Sequence, residues 1–120
     1  MNHLKKKCNE LWILACLAKW GNVCECCGAT AETYHHFIPK SLSNNLRYNP
    51  LNGVPLCSRY GNKCHYKIHF SRDPLVRRDL EDRIILKRGK DWLAYIDRER
   101  KVRVRVRKSW YEGIINELEK

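Results

Sequence analysis

Two pairs of cysteines bracket a stretch of this chain that has too few apolar residues to hold a fold together by itself. Cys24 and Cys27 form a C-x-x-C motif, and Cys57 and Cys64 form a second pair. The residues between the pairs are rich in Gly, Asn, Pro and Ser, which predicts short strands and loops rather than long helices. Four thiolates can close a tetrahedral site around a structural zinc ion. The sequence therefore predicts a four-cysteine zinc site that stabilises this segment.

The second pair leaves part of the ligand assignment open. Six residues, SRYGNK, separate Cys57 from Cys64, whereas roughly two to four are usual between paired zinc ligands. Cys26 is an alternative ligand, and buried or incidental thiols are the competing interpretation. The chain has seven cysteines, and their odd number and clustering fit a disulfide framework poorly. The cysteine pattern therefore favours a reducing compartment such as the cytosol.

Four of the five histidines lie in or beside the same region. His35 and His36 are adjacent in YHHFIPKS, so their side chains point to opposite sides if this segment is a strand. His65 and His69 are four positions apart in CHYKIH, which places both on one face of a helix, where they could bind one metal ion. Asn52 lies between these pairs, in LNGVPLC. Together the five residues predict a second metal site, which is distinct from the structural four-cysteine site and is a candidate for catalysis.

The chain is short and strongly basic. Its 120 residues are enough for one domain with a modest core. Twenty-four Lys and Arg residues against thirteen Asp and Glu give a net charge of +11. This excess favours a polyanionic partner, with nucleic acid first and an anionic membrane surface second. No segment has the ~20 apolar residues that span a bilayer, so we expect no membrane-embedded part.

Residues 1–21 predict an amphipathic helix. Their apolar positions recur at intervals of three and four, and the helix is expected to end near Gly21. These positions are Leu4, Cys8, Leu11, Trp12, Ala15 and Cys16. The run LWILACLA also resembles a short signal peptide, which would fit a secreted protein. Asn9 and Glu10 separate that run from the lysines at 5–7, and Lys19 closes it, so the helix is the favoured interpretation.

Residues 73–120 predict a basic extension that is mostly helical. Asp73 and Pro74 are typical of a helix N-cap and first helical position, and Gly89 is expected to end that helix. Its predicted buried stripe consists of Leu75, Val76, Leu80, Ile84 and Ile85. A second helix is expected over residues 91–100, with one apolar side. That side consists of Trp92, Leu93 and Ile96.

Two further patterns lie near the C-terminus. In KVRVRVRK, valines alternate with Arg103, Arg105 and Arg107, and this period of two predicts a strand or an extended arm. Ser109 and Glu112 fit the S-x-x-E pattern of a capping box, which predicts the start of a terminal helix. We find no internal repeat and no sign of a second domain.

The segments YHHFIPKS, NGVPLC and CHYKIH together resemble the three parts of the HNH endonuclease motif, over residues 24–70. The resemblance implies an α+β protein with a small ββα-metal core, in which a β-hairpin and a following helix hold a catalytic metal beside a four-cysteine zinc site. We therefore expect one domain over residues 1–120. It would comprise an N-terminal helix at 1–21, the zinc and ββα-metal core at 24–70, and the basic helical extension at 73–120.

The resemblance also implies roles for the five residues above. His36 would be the general base that activates water, and Asn52 would orient it. His35, His65 and His69 would bind the catalytic metal. Many members of the family have Asp where His35 stands, and imidazoles suit Mn, Ni or Zn better than Mg, which prefers oxygen ligands. The SRYGNK loop also lengthens the interval between Asn52 and the helix. The catalytic ion therefore stays open among Mg²⁺, Mn²⁺, Ni²⁺ and Zn²⁺.

The implied activity is metal-dependent hydrolysis of DNA, leaving 5′ phosphate and 3′ hydroxyl ends. The order of the C-terminal segments is also similar to phage recombination endonucleases of the NinG/Rap type, which act on branched DNA. That similarity implies the cytoplasm of a phage-infected or prophage-bearing bacterium, and phage or host recombination proteins as partners. A homodimer would suit cutting of both strands. Packaging, homing and defence nucleases stay open, as does a noncatalytic, zinc-stabilised DNA-binding module.

Basic residues outside the motif are candidates for contact with the DNA backbone. They are Lys40, Arg59, Lys63, Lys67, Arg72, Arg103, Arg105 and Arg107. The first five lie near the motif in sequence. The three arginines of KVRVRVRK would lie on one face of a strand at intervals of about 7 Å, although a charged edge strand has the same pattern. Such contacts give affinity with little sequence preference.

Overall fold

The structure, a computed structural model, describes residues 2–59 and 61–120. These residues form five α-helices and one two-stranded antiparallel sheet, so the predicted α+β class is confirmed. In chain order the elements are α1 (Asn2–Trp20), β1 (Thr33–His36), a 3-10 turn (Pro50–Asn52), β2 (Gly53–Leu56), α2 (Cys64–Phe70), α3 (Pro74–Arg88), α4 (Lys90–Glu99) and α5 (Lys108–Glu119). Met1 of the predicted N-terminal helix lies outside the described residues.

The sheet and α2 form the centre of the molecule. β1 and β2 pair antiparallel, with His35 opposite Val54 and His36 opposite Gly53. Gly53 is required to be small, because a Cβ atom there would collide with the Cys16 Sγ of α1. Helix α1 therefore packs closely on β2, the strand that pairs with the strand carrying His35 and His36.

The core consists of two clusters. One joins β2, α2, α3 and α4, and the other joins α1 to α5. On α1 the buried residues are Cys8, Trp12 and Cys16, which recur every four positions as the predicted stripe requires. Tyr111 of α5 is buried against this stripe. The two ends of the chain therefore pack against each other, and Trp12 also donates a hydrogen bond to the Asn49 carbonyl (3.0 Å).

The helix predicted to start at Asp73 is confirmed. The Asp73 side chain accepts a hydrogen bond from the Leu75 amide (2.9 Å), and Gly89 ends α3 with a positive φ of 95°. Leu80 and Ile84 are buried as predicted, but Leu75 is 67% exposed. The prediction for Leu75 was wrong because the face of α3 that packs on the core is that of Val76, Leu80 and Ile84, and Leu75 lies off this face.

Two predictions for the C-terminus are decided by the structure. Residues 102–106 have no regular secondary structure and pair with no strand of the described residues, so of the two alternatives for KVRVRVRK the arm is the one observed. Alternation alone supplies no partner for the backbone groups of a strand. The predicted capping box at Ser109 is wrong, because α5 begins at Lys108. The amides of Trp110 and Tyr111 both donate to the Arg107 carbonyl, which makes Arg107 the N-cap.

Among the residues that the structure describes, no helix is both long enough and apolar enough to pass through a bilayer.

Candidate metal centres and the adjoining cleft

The four predicted cysteines come together. The sulfur atoms of Cys24, Cys27, Cys57 and Cys64 all lie within 4.8 Å of one another. A tetrahedral zinc site with Zn–S bonds of about 2.3 Å requires sulfur atoms about 3.8 Å apart, and the Cys27 and Cys57 sulfurs are 3.6 Å apart. The number, chemistry and spacing of these ligands therefore fit a structural zinc ion.

Left-handed backbone turns bring the two cysteine pairs together. Gly28, with φ +80°, turns the chain after Cys27, and Gly61, with φ +70°, lies in the loop before α2. A Cβ atom at Gly61 would lie 2.6 Å from the Ala29 Cβ, so the loop folds directly onto the first cysteine turn. Lys63 is also left-handed, with φ 53°. These turns accommodate the unusually long interval between Cys57 and Cys64.

Cys26 lies beside the four-cysteine group but outside it. Its thiol donates a hydrogen bond to the Leu80 carbonyl (3.7 Å). Its hydrogen bond with Cys24, followed by burial, raises the pKa of Cys26, and the same hydrogen bond lowers the pKa of Cys24. The four sulfur atoms that converge are those of Cys24, Cys27, Cys57 and Cys64. The alternative ligand Cys26 is therefore not needed to complete the site.

The three predicted histidine ligands form a second group. Nitrogen atoms of His35, His65 and His69 all lie within 4.8 Å of one another, and His35 Nδ1 is 3.1 Å from His69 Nε2. His35 is supplied by β1, whereas the other two lie one turn apart on α2. Three convergent imidazole nitrogens suit Zn, Ni, Co or Mn, and fit Mg poorly.

The environment keeps these imidazoles uncharged. Burial, and then the nearby His69 and His65, lower the pKa of His35 to about 3. Burial also lowers the pKa of His65 and that of His69. Since the neutral imidazole is the form that binds a metal, all three side chains are in the required state at neutral pH.

His36 lies in the same cleft but outside this group. Its Nε2 is 2.9 Å from the Arg47 carbonyl. Because a carbonyl only accepts, Nε2 carries the proton and Nδ1 keeps the lone pair. The ring stacks on Trp12, with centroids 4.1 Å apart and planes at 11°. Burial lowers the pKa of His36 to about 4. The ring is therefore neutral, fixed in one tautomer and able to accept a proton at Nδ1.

The side chain of Asn52 was expected to orient His36, but its hydrogen-bond partners are backbone groups of the loop that follows His36. Its side-chain amide donates to the carbonyls of Ile38 (3.0 Å) and Leu46 (3.3 Å), and its Oδ1 accepts from the Ile38 amide (2.8 Å). Its backbone carbonyl accepts from the Phe37 amide. No hydrogen bond between described residues joins the Asn52 side chain to His36. Asn52 therefore closes the loop that follows His36, and the ring of His36 is oriented by Trp12 and Arg47.

All four histidines line one open cleft with a volume of about 640 Å³. Its other walls come from α1, at Trp12 and Ile13, and from the loop at 39–41. Lys40, one of the predicted DNA contacts, is in that loop. The cleft gives a substrate access to the histidine group and to His36 together.

The eight predicted DNA contacts are all exposed, but they are not brought together in one place. Only Lys40 among them lines the histidine cleft. Lys67 lines a groove between α2 and α3, and Arg103 lines a further groove of about 630 Å³ with residues 42–44. One loop contributes to both pockets: residues 39–41 line the histidine cleft and residues 42–44 line the groove at Arg103.

Two residues near the site escaped the sequence analysis. Arg77 of α3 lies close enough to lower the pKa of His69 and of His35, after the larger effect of burial in each case. Trp12 was predicted only as part of an apolar stripe, yet its ring supports His36. Each interaction joins side chains from different elements of the fold, so no pattern within one element reveals it.

A third residue that the sequence analysis did not single out, Arg88, supports the hairpin from behind. Its buried guanidinium is paired with the buried carboxylate of Glu25, and it donates to the carbonyls of Leu51 (3.1 Å) and Gly53 (2.8 Å). It also lies over the Trp20 ring, 3.6 Å from the centroid. The end of α3 is thereby tied to the first cysteine turn, to the start of β2 and to α1.

Comparisons of the chain with protein-family models, with curated proteins and with solved structures gave no match. Interpretation of the site therefore depends on its own geometry: a four-cysteine group, a three-histidine group and a neutral histidine beside it. The last two face one open cleft in a chain of net charge +11.

Proposed function

We propose that the protein is a metal-dependent DNA endonuclease of the HNH type, which hydrolyses phosphodiester bonds in the histidine cleft. The observation that carries the proposal is the convergence of His35, His65 and His69 in a cleft that also contains His36. Three imidazole nitrogens would hold a divalent ion, and a fourth imidazole with a free lone pair would lie beside it. The strand, strand, helix order of β1, β2 and α2 supports the same proposal.

In the proposed reaction, His36 acts as the general base. Its Nδ1 takes a proton from the water that attacks the phosphorus atom. The Arg47 carbonyl, which accepts from Nε2, stabilises the imidazolium that results. A divalent ion held by the three other histidines would supply Lewis acidity for the charge that develops on the phosphate. The 3′ oxygen then leaves, so the products are 5′ phosphate and 3′ hydroxyl ends.

Cations around the cleft suit a phosphate backbone. Lys40 lines the cleft, and Arg77 lies close to His69. The net charge of +11 adds long-range attraction for DNA. The resemblance to phage recombination endonucleases extends the proposal to branched DNA in the cytoplasm of a phage-infected bacterium, with recombination proteins as partners.

Cleavage of labelled DNA by the purified protein tests the proposal. Mg²⁺, Mn²⁺, Ni²⁺ and Zn²⁺ would be added in turn to the unchanged protein, to His36→Ala and to His3→Ala. The last is a matched control, because His3 is an exposed histidine on α1. We expect cutting with at least one ion, a fall of about 100-fold or more in His36→Ala, and no change in His3→Ala.

DNA binding and thermal unfolding of each variant would be measured in parallel. Retained binding and folding in His36→Ala would assign the loss to chemistry. Absence of cutting by the unchanged protein with every ion, despite tight DNA binding, would contradict the proposal. The protein would then be a noncatalytic, zinc-stabilised DNA-binding module.

A further inference from the structure

Helix α2 carries a pair of exposed aromatic side chains next to its two metal-binding histidines. Tyr66 is 59% exposed and Phe70 is 66% exposed. Their ring centroids are 5.3 Å apart, with the planes tilted by 43°. The Phe70 centroid is also 5.8 Å from that of His69. The two rings therefore form a continuous aromatic surface at the edge of the histidine group.

The order of side chains around α2 places this surface between two others. Each residue advances by about 100° around a helix. Cys64 and Ile68 face the core, and the face that follows holds His65 and His69. The next face holds the aromatic pair. After it comes Lys67, which is exposed, with Lys63 one turn earlier. Going around the helix from its buried face, α2 thus presents metal ligands, then aromatic rings, then the Lys67 cation.

We propose that Tyr66 and Phe70 form a stacking platform for unpaired bases of the strand that is cut in the adjoining cleft. This inference rests on the proposed nuclease function and names the class of its substrate. Bases inside a duplex are paired and stacked on each other, so their faces are not available to side chains. Bases in single-stranded segments expose those faces, and aromatic side chains bind them with little sequence preference. The preferred substrate is then DNA with unpaired nucleotides beside the scissile bond.

Charge favours this occupant over a second copy of the chain. The aromatic pair is bordered by Lys63 and Lys67, and the whole chain carries a net charge of +11. Two such surfaces brought face to face would repel each other, whereas a nucleic acid strand would be attracted. Lys67 is one helical face away from the rings and Lys63 directly precedes the helix, so both can contact the phosphates of nucleotides whose bases stack.

Fluorescence anisotropy would test the platform without relying on cleavage. Two labelled DNAs with the same number of phosphates would be compared, one a full duplex and the other a duplex with a single-stranded flap. Binding would be measured with no added divalent ion. The key variant is Tyr66→Leu with Phe70→Leu, which keeps apolar side chains but removes both rings. Tyr66→Phe keeps the ring, and Leu86→Ala alters an apolar residue on α3 that is 86% exposed.

We expect the unchanged protein to bind the flap more tightly than the duplex. The double variant should lose at least about five-fold in affinity for the flap, with its affinity for the duplex unchanged. Tyr66→Phe and Leu86→Ala should behave like the unchanged protein. As both rings are exposed, the double variant should unfold at nearly the unchanged temperature.

Three results would overturn the platform. The first is equal affinity of the unchanged protein for both DNAs. The second is an equal loss of affinity for both DNAs in the double variant. The third is a dimer of the unchanged protein in sedimentation that is absent in the double variant. A protein that prefers the flap through its rings but never cuts would retain the platform and lose the nuclease. A protein that cuts duplex and flap equally, with no effect of removing the rings, would retain the nuclease and lose the platform.

Discussion

At the residue scale, Asn52 shows how one buried side chain can control a catalytic group that it does not touch. It is fully buried, and its side chain satisfies three backbone groups of the loop that follows His36. A buried backbone group that loses its partner costs about 1–3 kcal/mol. The loop at 37–46 also supplies Lys40 to the cleft. Loss of the Asn52 side chain should therefore loosen one wall of the site.

We expect Asn52→Ala to lower the free energy of unfolding by about 2–4 kcal/mol, since several buried groups lose their partners together. Urea unfolding measures this change. Asn44→Ala, at an exposed position in the same loop, is the matched control and should have little effect. If Asn52→Ala were as stable as the control but inactive, Asn52 would act on the reaction directly, contrary to its observed contacts.

At the element scale, the four-cysteine group holds the start of α2, the helix that carries two of the three histidine ligands. Cys64 is its first residue, and the amide of His65 donates to the Cys57 carbonyl (3.0 Å). The four-cysteine group therefore fixes the start of the helix that carries His65 and His69. These contacts do not make the four-cysteine group depend on the histidines, because His65 and His69 lie on the side of α2 that faces the cleft.

This arrangement predicts that the two metals are lost unequally. Cys24→Ala should remove the structural zinc, disorder the start of α2 and reduce occupancy of the histidine group as well. His69→Ala should leave the structural zinc in place and reduce only the second metal. Metal content of each purified variant, measured by mass spectrometry, tests this. Full retention of the second metal in Cys24→Ala would contradict the coupling.

The same helix shows which features a sequence can reveal. The common face of the histidines on α2 follows from local spacing, as do the C-x-x-C motif and the Asp73 cap. The effect of Arg77 on His69 and the stacking of Trp12 on His36 arise from packing between different elements, which no local pattern encodes. The capping box at Ser109 failed for a related reason, because several nearby residues can start a helix and tertiary packing selects among them.

At the scale of the whole molecule, the ends of the chain are joined while the segment between α4 and α5 stays outside the core. α1 and α5 share one buried cluster that includes Trp12 and Tyr111. The arm at 101–107 connects α4 to this cluster without joining the sheet, and its three arginines are exposed. Contact of the three arginines with phosphates stays a prediction, because the one-face spacing expected of a strand does not apply to an irregular arm. Arg103 also lines a groove with residues 42–44, next in sequence to the residues 39–41 that line the histidine cleft.

Salt dependence of DNA binding tests whether the arm contacts the backbone. Each neutralised phosphate of duplex DNA contributes about −0.9 to the slope of log affinity against log salt. Replacing Arg103, Arg105 and Arg107 together by Ala should make this slope shallower by up to about three. The matched control replaces the three lysines at 5–7 of α1, which removes the same charge. An equal change in both variants would mean that net charge alone attracts DNA. A change confined to the arm variant would place the DNA backbone along the arm.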